Sequence, residues 1–291
     1  MVCPGCARIL IGNPQTHGEA NYHMKNLGTY NVLGLGISAV DYAAAVQHII
    51  EAAHHRYPLA VSALAVHGVM TGVFDDTHRY RLNQFDLLVP DGQPLRWALN
   101  WLYHLQLTDR VYGPALMTRL CERAAAEALP IFLYGSTNEV LTALSENLQR
   151  RIPGLHIAGV LPSRFRRLTA KEHAQCIEEI GASGARLTFV GLGCPRQEIW
   201  TYESYRELSM PVVAVGAAFP FHANILKQAP DTLQRLGLEW LYRLYQEPRR
   251  LWKRYILLNP LYLGLLALQL ARLRTFEPNH ACAPTETILY G

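Results

Sequence analysis

Residues Arg186–Gln197 read RLTFVGLGCPRQ, and this stretch decides the fold. It opens with a short apolar run typical of a buried strand, turns through Gly191 and Gly193, and then reaches Pro195, a residue that suits the first turn of a helix. Glycines let a backbone approach a phosphate closely, and a helix N-terminus favours an anion. The stretch therefore predicts a strand, a tight turn and a helix, with Gly191 and Gly193 as candidate substrate-binding residues.

The alternation of strand and helix continues on both sides of this stretch. Short apolar runs predict buried strands at Tyr30–Leu35, Leu59–Val66, Phe85–Val89, Pro130–Tyr134, His156–Val160, Arg186–Val190 and Val212–Val215. Between them, apolar residues recur at helical spacing over Val40–Ala53, Ala115–Ala128 and Glu139–Leu148. This order indicates an α/β fold with a Rossmann-like, mostly parallel sheet flanked by helices, and in such sheets ligands bind beyond the carboxyl ends of the strands.

Four segments of the chain differ in sequence character. The alternating pattern occupies the middle, and a stretch rich in basic and aromatic residues follows it. We expect a loose N-terminal leader, an α/β catalytic domain, a helical appendage and a tail, at residues 1–27, 28–230, 231–275 and 276–291 respectively.

The leader contains a CxxC formed by Cys3 and Cys6, with His17 and His23 downstream. This arrangement loosely resembles a zinc site, but a metal finger also needs a small apolar core, and the segment has little to pack around a metal. A loose leader without metal is the favoured interpretation, and Met24 is an alternative natural start.

Composition excludes several classes of protein. Half of the 291 residues are apolar, 17% are charged and the net charge is +4, which is ordinary for a globular protein and does not by itself suggest nucleic-acid binding. Six scattered cysteines fit a reducing compartment rather than a disulfide framework. The sequence shows neither a secretory signal nor an apolar run long enough to span a bilayer, so a cytoplasmic protein is expected.

Two charged residues lie where the predicted strands and helices meet. Asp91 follows an apolar strand directly and precedes Gly92, so its carboxylate is placed either to take a proton from an attacking hydroxyl or simply to form a turn. Arg110 lies just before a predicted helix, where it could pair with a diphosphate or remain a solvated surface residue. The spacing alone leaves both pairs of alternatives open.

The segment Leu238–Tyr255 reads LEWLYRLYQEPRRLWKRY, and Pro248 is expected to divide it into two helices. In the second helix one cationic face is expected beside apolar bulk, made of Arg249, Arg250, Lys253 and Arg254. The following Leu257–Leu273 is almost uncharged but interrupted at Asn259-Pro260. Such a segment suits a helix lying on an anionic membrane surface, and the alternative is a docked helix pair whose basic face is solvated. No nucleic-acid motif accompanies it.

Taken together, these motifs resemble one family, the bacterial WecG/TagA/CpsF glycosyltransferases. The matching stretches follow in order along most of Tyr30–Leu270, and the last of them is long and specific. They are Leu88–Gly92 (LVPDG), Asp109–Pro114 (DRVYGP), Val190–Trp200 (VGLGCPRQEIW), Ala214–Phe219 (AVGAAF) and Ala229–Tyr255 with its GLEWLYRLYQEPRR core.

The resemblance implies an inverting, metal-independent transfer of a sugar from a UDP-sugar to a polyprenyl-diphosphate-linked saccharide, with no cofactor. It implies that Asp91 is the general base, that Arg110 and Gln197 hold donor or acceptor groups, and that an appendage attaches the enzyme to the membrane and closes over the site. Its basic residues would be Arg243, Arg250 and Lys253. The family uses N-acetylmannosamine, its uronic acid, glucuronic acid or other hexoses, so the sugar stays open.

The chain departs from the family pattern in places. Where the family often has Thr-x-Asn after the second strand, this chain has residues 62–67 reading SALAVH. That polar contact is therefore missing, shifted, or replaced by Ser62 or His67, and His67 is alternatively a helix-start residue without a catalytic role. The chain has Pro220 and Asn224 where the family usually has an acidic residue and a glycine, and Lys253 where it usually has an arginine. These departures keep a non-catalytic membrane-associated protein as one alternative. An NAD-dependent oxidoreductase is a weaker one, because the dinucleotide fingerprint is incomplete.

Overall fold

A computed structural model of the chain describes residues 24–278 and 281–291, with the side chains of Asp231, Arg250, Lys253 and Arg254 left out of the description. The CxxC of Cys3 and Cys6, with His17 and His23, lies outside the described residues. The strands are β1 Asn26–Val32, β2 Leu35–Val40, β3 Leu59–Leu64, β4 Leu87–Pro90, β5 Ile131–Gly135, β6 Ile157–Leu161, β7 Leu187–Gly191 and β8 Pro211–Ala214.

Strands β3 to β8 form a six-stranded sheet in the order β4-β3-β8-β7-β5-β6, and every neighbouring pair is parallel. The predicted α/β fold with a parallel sheet is therefore confirmed. Because all six strands run the same way, their carboxyl ends lie at one edge, and the loops that follow β3, β4, β7 and β8 meet there.

Helices connect these strands and cover both faces of the sheet. Their bounds are α1 Tyr42–His55, α2 Val66–Phe74, α3 Asp76–Asn83, α4 Gln93–Tyr103, α5 Gly113–Ala126, α6 Asn138–Arg151, α7 Ala170–Ala182, α8 Arg196–Leu208, α9 Ala218–His222, α10 Asp231–Arg235, α11 Glu239–Gln246 and α12 Pro248–Leu270. The three helices predicted from apolar spacing correspond to α1, α5 and α6, within a few residues at each end.

Alternation along the strands explains the layers. Val61 and Leu133 face a core shared with α1, α5 and α6, whereas their neighbours Ala60 and Phe132 face a second core with α7 and α8. Successive side chains of a strand point to opposite faces, so strands buried on both sides need the continuous apolar runs seen in the sequence. A third core lies under the hairpin β1–β2, α2, α4 and α12.

The prediction of one buried strand over Tyr30–Leu35 is wrong. Leu33 and Gly34 both have positive φ angles, 52° and 86°, and they turn the chain between β1 and β2, which pair in an antiparallel hairpin apart from the main sheet. A two-residue hairpin turn of type I′ requires left-handed backbone at both of its central residues, as found here. The sequence gives little sign of this turn, because leucine is uncommon in left-handed backbone and Leu33 lies within an apolar run.

The two helices predicted around Pro248 are present as α11 and α12, and α12 begins at Pro248 itself. The expected interruption at Asn259-Pro260 is wrong, because α12 continues through Pro260. Leu251, Tyr262 and Leu266 of α12 are buried against the rest of the chain, and such packing overrides the local preference of a proline to end a helix. Within the described residues, none of the helices has both the length and the apolar character needed to cross a bilayer.

Candidate active site

Asp91 lies immediately after β4, at the carboxyl edge of the sheet. Its backbone N–H donates to the carbonyl of Leu64 over 3.0 Å, and its Oδ1 accepts from the N–H of Gly113, the first residue of α5, over 2.5 Å. Burial raises the pKa of the Asp91 carboxyl to about 6, although Arg110 and the Gly113 N–H lower it. Glu239 raises this pKa further and Arg243 lowers it. The residue is thus held through its backbone by Leu64 and through its side chain by Gly113, and its carboxyl has a pKa just below neutral pH.

Two cavities meet at Asp91. The larger, about 1740 Å³ including its open part, is lined by the loop Gly191–Gln197 and by Val215–Ala217. The smaller, about 660 Å³, lies between the start of α4 and the helices α11 and α12. Asp91, His67 and Arg243 line both cavities. A group in either cavity therefore meets the same carboxylate, imidazole and guanidinium.

Arg110 is buried, with 7% of its surface exposed, and is held by the C-terminal helices. Its Nη2 donates to Glu239 Oε2 over 2.6 Å and to Gln234 Oε1 over 3.0 Å, and its guanidinium lies 4.2 Å from the centre of the Tyr112 ring. Burial lowers the pKa of Arg110, but the charges of Glu239 and Asp91 outweigh this and raise it. The structure thus brings Arg110 to the cavity that Asp91 lines, as a paired cation rather than a solvated one.

Gln197 and Ser62 belong to one buried network. Gln197 Oε1 accepts from the N–H of Gly193 over 3.1 Å, and its Nε2 donates to Glu198 Oε1 over 2.8 Å. Ser62 Oγ donates to the same Glu198 oxygen over 3.1 Å. Burial raises the pKa of Glu198, and the hydrogen bonds from Gln197 and Ser62 lower it. Gln197 also lines the larger cavity, whereas Ser62 is fully buried beneath it and reaches the site through Glu198.

The two glycines of the β7–α8 turn have different reasons to be glycine. A Cβ on Gly191 would lie 2.6 Å from the Phe219 ring, so this position is set by packing beneath the turn. Gly193 has φ +80° and faces open space, so it is required by its left-handed backbone. Only at Gly193 does the turn present bare backbone to the larger cavity, with room for a ligand beside it.

Of the remaining candidates, the structure describes the side chains of His67 and Arg243 but not those of Arg250 and Lys253. His67 is the second residue of α2, and Arg243 of α11 lies with its guanidinium 5.6 Å from the centre of the Phe221 ring. Both line the two cavities, and their role in binding stays a prediction. The side chains of Arg250 and Lys253 lie outside the described part of the chain, so only their backbone position in the first turns of α12 is known.

Sequence reasoning missed Glu198, Gly216 and Glu239. Glu198 joins Ser62 to Gln197, and a Cβ on Gly216 would lie 2.9 Å from Gln197 Oε1, so both fix the Gln197 amide. Glu239 is the partner of Arg110. The signal that could have identified them is their position, since all three lie inside the stretches VGLGCPRQEIW, AVGAAF and GLEWLYRLYQEPRR that match the family.

Comparison with known proteins gives a family match over most of the chain. A model described as the glycosyl transferase WecG/TagA/CpsF family matches residues 30–276. A relative from Bacillus spizizenii, named N-acetylglucosaminyldiphosphoundecaprenol N-acetyl-beta-D-mannosaminyltransferase, is 32% identical over 177 residues. That alignment covers 60% of this chain and 66% of the relative, slightly less than two thirds of its length. The resemblance drawn from the sequence motifs is confirmed by the family match.

Proposed function

This chain belongs to the WecG/TagA/CpsF family of glycosyltransferases, and we propose that it moves a hexose-type sugar from a UDP-sugar to a polyprenyl-diphosphate-linked acceptor in bacterial cell-surface polysaccharide synthesis. The name of the B. spizizenii relative supports this acceptor class, since it specifies N-acetylglucosaminyldiphosphoundecaprenol and a mannosaminyl group. N-Acetylmannosamine is accordingly the first donor sugar to test, followed by its uronic acid and by glucuronic acid. In this proposal residues 28–230 form the catalytic domain and residues 231–275 the appendage.

One observation carries the proposal: Asp91, with a raised pKa, lies where the two cavities meet. A glycosyl transfer needs a donor site, an acceptor site and a base between them. A carboxylate whose pKa lies near neutral pH is ionised enough to accept a proton and basic enough to drive its removal.

The larger cavity suits the nucleotide donor. Its wall contains the turn from β7 into α8, whose bare backbone at Gly193 and helix N-terminus favour a diphosphate. The network Ser62–Glu198–Gln197 holds that turn from below through the bond between the Gly193 N–H and Gln197. We assign the UDP-sugar diphosphate to this turn and the role of supporting it to Gln197 and Ser62.

The smaller cavity suits the lipid-linked acceptor. Its wall combines Arg110 and Arg243 with the apolar Trp240, Tyr255 and Leu258 of the appendage. An acceptor of this class carries a diphosphate next to a hydrocarbon chain, and such a wall offers cations and apolar surface side by side. Arg250 and Lys253, at the start of α12, are further candidates to bind phosphate.

In the proposed reaction the acceptor hydroxyl gives its proton to Asp91 while its oxygen attacks the anomeric carbon of the donor sugar. The bond from that carbon to the phosphate oxygen breaks, UDP leaves with the bonding electron pair, and the configuration inverts. Negative charge grows on the departing diphosphate, and Arg243, which lines both cavities, is placed to stabilise it. His67, which like Asp91 and Arg243 lines both cavities, is also within reach of both substrates.

The appendage also supplies the proposed membrane contact. Exposed apolar residues run along α12 at spacings of four and seven residues, among them Trp252, Ile256, Leu263 and Leu270. A neighbouring face of the helix is docked on the fold through Leu251, Tyr262 and Leu266. A surface helix that is apolar on both of these faces needs a second apolar partner. We propose that this partner is the cytoplasmic face of the cell membrane, where the acceptor resides.

The test is sugar transfer to a short-chain or vesicle-embedded polyprenyl-diphosphate acceptor, with a panel of UDP-sugars and EDTA present. Wild type, Asp91→Asn, a chain ending before Leu238 and the control Asp76→Asn, an exposed carboxylate, are compared. Transfer by wild type and Asp76→Asn alone supports the reaction class, the base and the appendage. Full activity of Asp91→Asn removes Asp91 as base. Absence of transfer with every donor favours the non-catalytic alternative, and binding of NADH without UDP favours the oxidoreductase.

A further inference from the structure

The strongest unexplained feature of the site is the ion pair between Arg110 and Glu239. The two residues are 129 positions apart in the chain, and each is 7% exposed. Glu239 is the first residue of α11 and lines the smaller cavity together with Asp91 and Arg110. A cavity assigned to an anionic acceptor would be expected to carry cations, so a buried carboxylate in its wall calls for an explanation.

Fastening the appendage does not require an ion pair. Replacing a buried ion pair by apolar residues of similar volume is often neutral or stabilising, because removing two charges from water is costly. The appendage already has apolar contacts with the rest of the chain, since Leu251, Tyr262 and Leu266 are buried and the last two belong to the core under β1, β2, α2 and α4. We therefore explain the ion pair by its effect on the orientation of Arg110 rather than by fastening of the appendage.

The geometry of the guanidinium indicates that role. Glu239 and Gln234 both accept hydrogen bonds from the same nitrogen, Nη2, and the Tyr112 ring lies against the guanidinium plane. Among the described residues, no acceptor is bonded to Nη1 or Nε of Arg110. As far as the described side chains show, the pair fixes one corner of the guanidinium at Nη2, and Nη1 and Nε remain for a substrate.

We propose that Glu239 is a positioning residue, which holds Arg110 by one nitrogen so that its remaining N–H groups are aimed at an anionic group of the substrate beside Asp91. This inference rests on the proposed function. It makes docking of α11 the event that orients Arg110, because the carboxylate arrives with the appendage. A pre-oriented guanidinium loses less freedom on binding a phosphate than a mobile one.

The two partners act on Asp91 in opposite directions, which gives the proposal a distinctive signature. Arg110 lowers the pKa of Asp91 and Glu239 raises it. Arg110→Met should therefore move the acid limb of the pH–rate profile to higher pH, and Glu239→Gln should move it to lower pH. The other titratable or charged groups near Asp91 are unchanged in both variants, namely His67 on α2, Tyr42 on α1, Asp109 and Tyr112 before α5, and Arg243 on α11.

The experiment compares wild type, Glu239→Gln, Arg110→Met and Glu203→Gln. The last is a matched control, because Glu203 pairs with the buried Arg81 over 3.3 Å elsewhere in the fold. We expect Glu239→Gln to lower kcat/KM for transfer by about 10- to 100-fold, as a small misplacement of a binding group does. Its acid limb should move down, that of Arg110→Met should move up, and Glu203→Gln should match wild type.

Two further measurements separate this proposal from its premises. Hydrogen exchange over α11 and α12 reports docking, and a ¹³C NMR titration of labelled aspartate, assigned with Asp91→Asn, reports the Asp91 pKa without any turnover. Retained protection with opposite pKa shifts supports positioning. Loss of protection with shifts in the same direction would show that Glu239 only fastens the appendage, and unchanged kinetics and pKa would also overturn the proposal. If no sugar is transferred by wild type, the proposed function fails, while the titration still decides the role of Glu239.

Discussion

At the scale of single residues, Asp91 must be ionised before it can accept a proton. Burial raises its pKa to about 6. We expect log kcat/KM to rise with a slope near one as pH increases toward 6 and then to level off, because the ionised fraction saturates. Initial rates measured from pH 4.5 to 8 in wild type and in Asp76→Asn should coincide, whereas Asp91→Asn should be slower by at least about 100-fold. An acid limb that persists undiminished in Asp91→Asn would assign it to another group.

The same residue is expected to make the fold less stable. Its pKa is raised from 3.8 to about 6 on folding, so the folded state disfavours the ionised form. The resulting loss of folding stability is absent below pH 4, grows between pH 4 and pH 6, and is fully present above pH 6. At pH 8, urea denaturation should therefore show Asp91→Asn to be more stable than wild type by up to about 3 kcal/mol, and at pH 4 the gain should be small. Equal gains at both pH values would contradict a charge-based cause.

The two turn glycines predict different defects. Gly191→Ala would place a methyl group 2.6 Å from the Phe219 ring inside the core and should destabilise the fold by about 1–3 kcal/mol. Gly193→Ala meets open space but keeps φ +80°, so we expect a loss of only about 1 kcal/mol together with weaker UDP binding. Urea denaturation and UDP titration of both variants measure these effects. A Gly191→Ala protein as stable as wild type would show that Phe219 can move aside.

Some site residues were predictable and others were not, for a physical reason. Asp91, Gly193 and Gln197 lie in the loops and helix starts that follow strand ends. Because the carboxyl ends of parallel strands lie at one edge of the sheet, residues in such positions come together there. The burial of Ser62 and the pairing of Glu239 with Arg110 depend on contacts over more than a hundred residues, which no local pattern specifies.

At the scale of elements, the apolar runs predicted the six parallel strands. Five of these strands, β3, β4, β5, β7 and β8, are buried almost throughout, whereas the edge strand β6 is partly exposed. The same rule failed for Tyr30–Leu35, where a tight turn is built with Leu33 in left-handed backbone. A different rule, that proline ends a helix, failed at Pro260, where docking of the helix outweighs the proline. Both errors have one origin, namely that tertiary packing overrides a local conformational preference.

Helix α12 carries the membrane prediction at this scale. Wild type should sediment with vesicles containing anionic lipid and less with zwitterionic ones, because both apolar and basic groups contribute to interfacial binding. Changing the exposed pair Ile256 and Leu263 to Asp should abolish sedimentation while transfer to a water-soluble acceptor analogue persists. Val160→Asp, a charge placed on an equally exposed apolar residue of β6, is the control. Vesicle binding that survives the double change would exclude this face of α12.

At the scale of the whole molecule, the C-terminal tail joins regions that are distant in sequence. Asn31 of the hairpin donates to the carbonyl of Phe276, and buried Arg81 donates to that of Glu286. The last residues then pair with the segment 166–168, which follows β6. That segment adjoins Phe165, which lines the larger cavity. The tail beyond Phe276 lies outside the residues that the family model matches, so its links to Arg81 and to the segment 166–168 are made by residues that the match does not cover.

Removal of residues 286–291 is therefore expected to loosen one wall of the larger cavity. It deletes the bond from Arg81 to Glu286 and the two backbone bonds that join Leu168 to Leu289 and Gly291 to Arg166. Three such bonds correspond to a loss of about 1–3 kcal/mol, and trypsin should cleave sooner at the arginines of the segment 164–167. Tyr290→Ala keeps the backbone bonds and should resist trypsin as wild type does. If the truncated chain denatures in urea and is cleaved as wild type is, the tail does not hold this wall. If truncation lowers stability and also weakens UDP binding, the tail contributes to the donor site although it lies outside the matched residues 30–276.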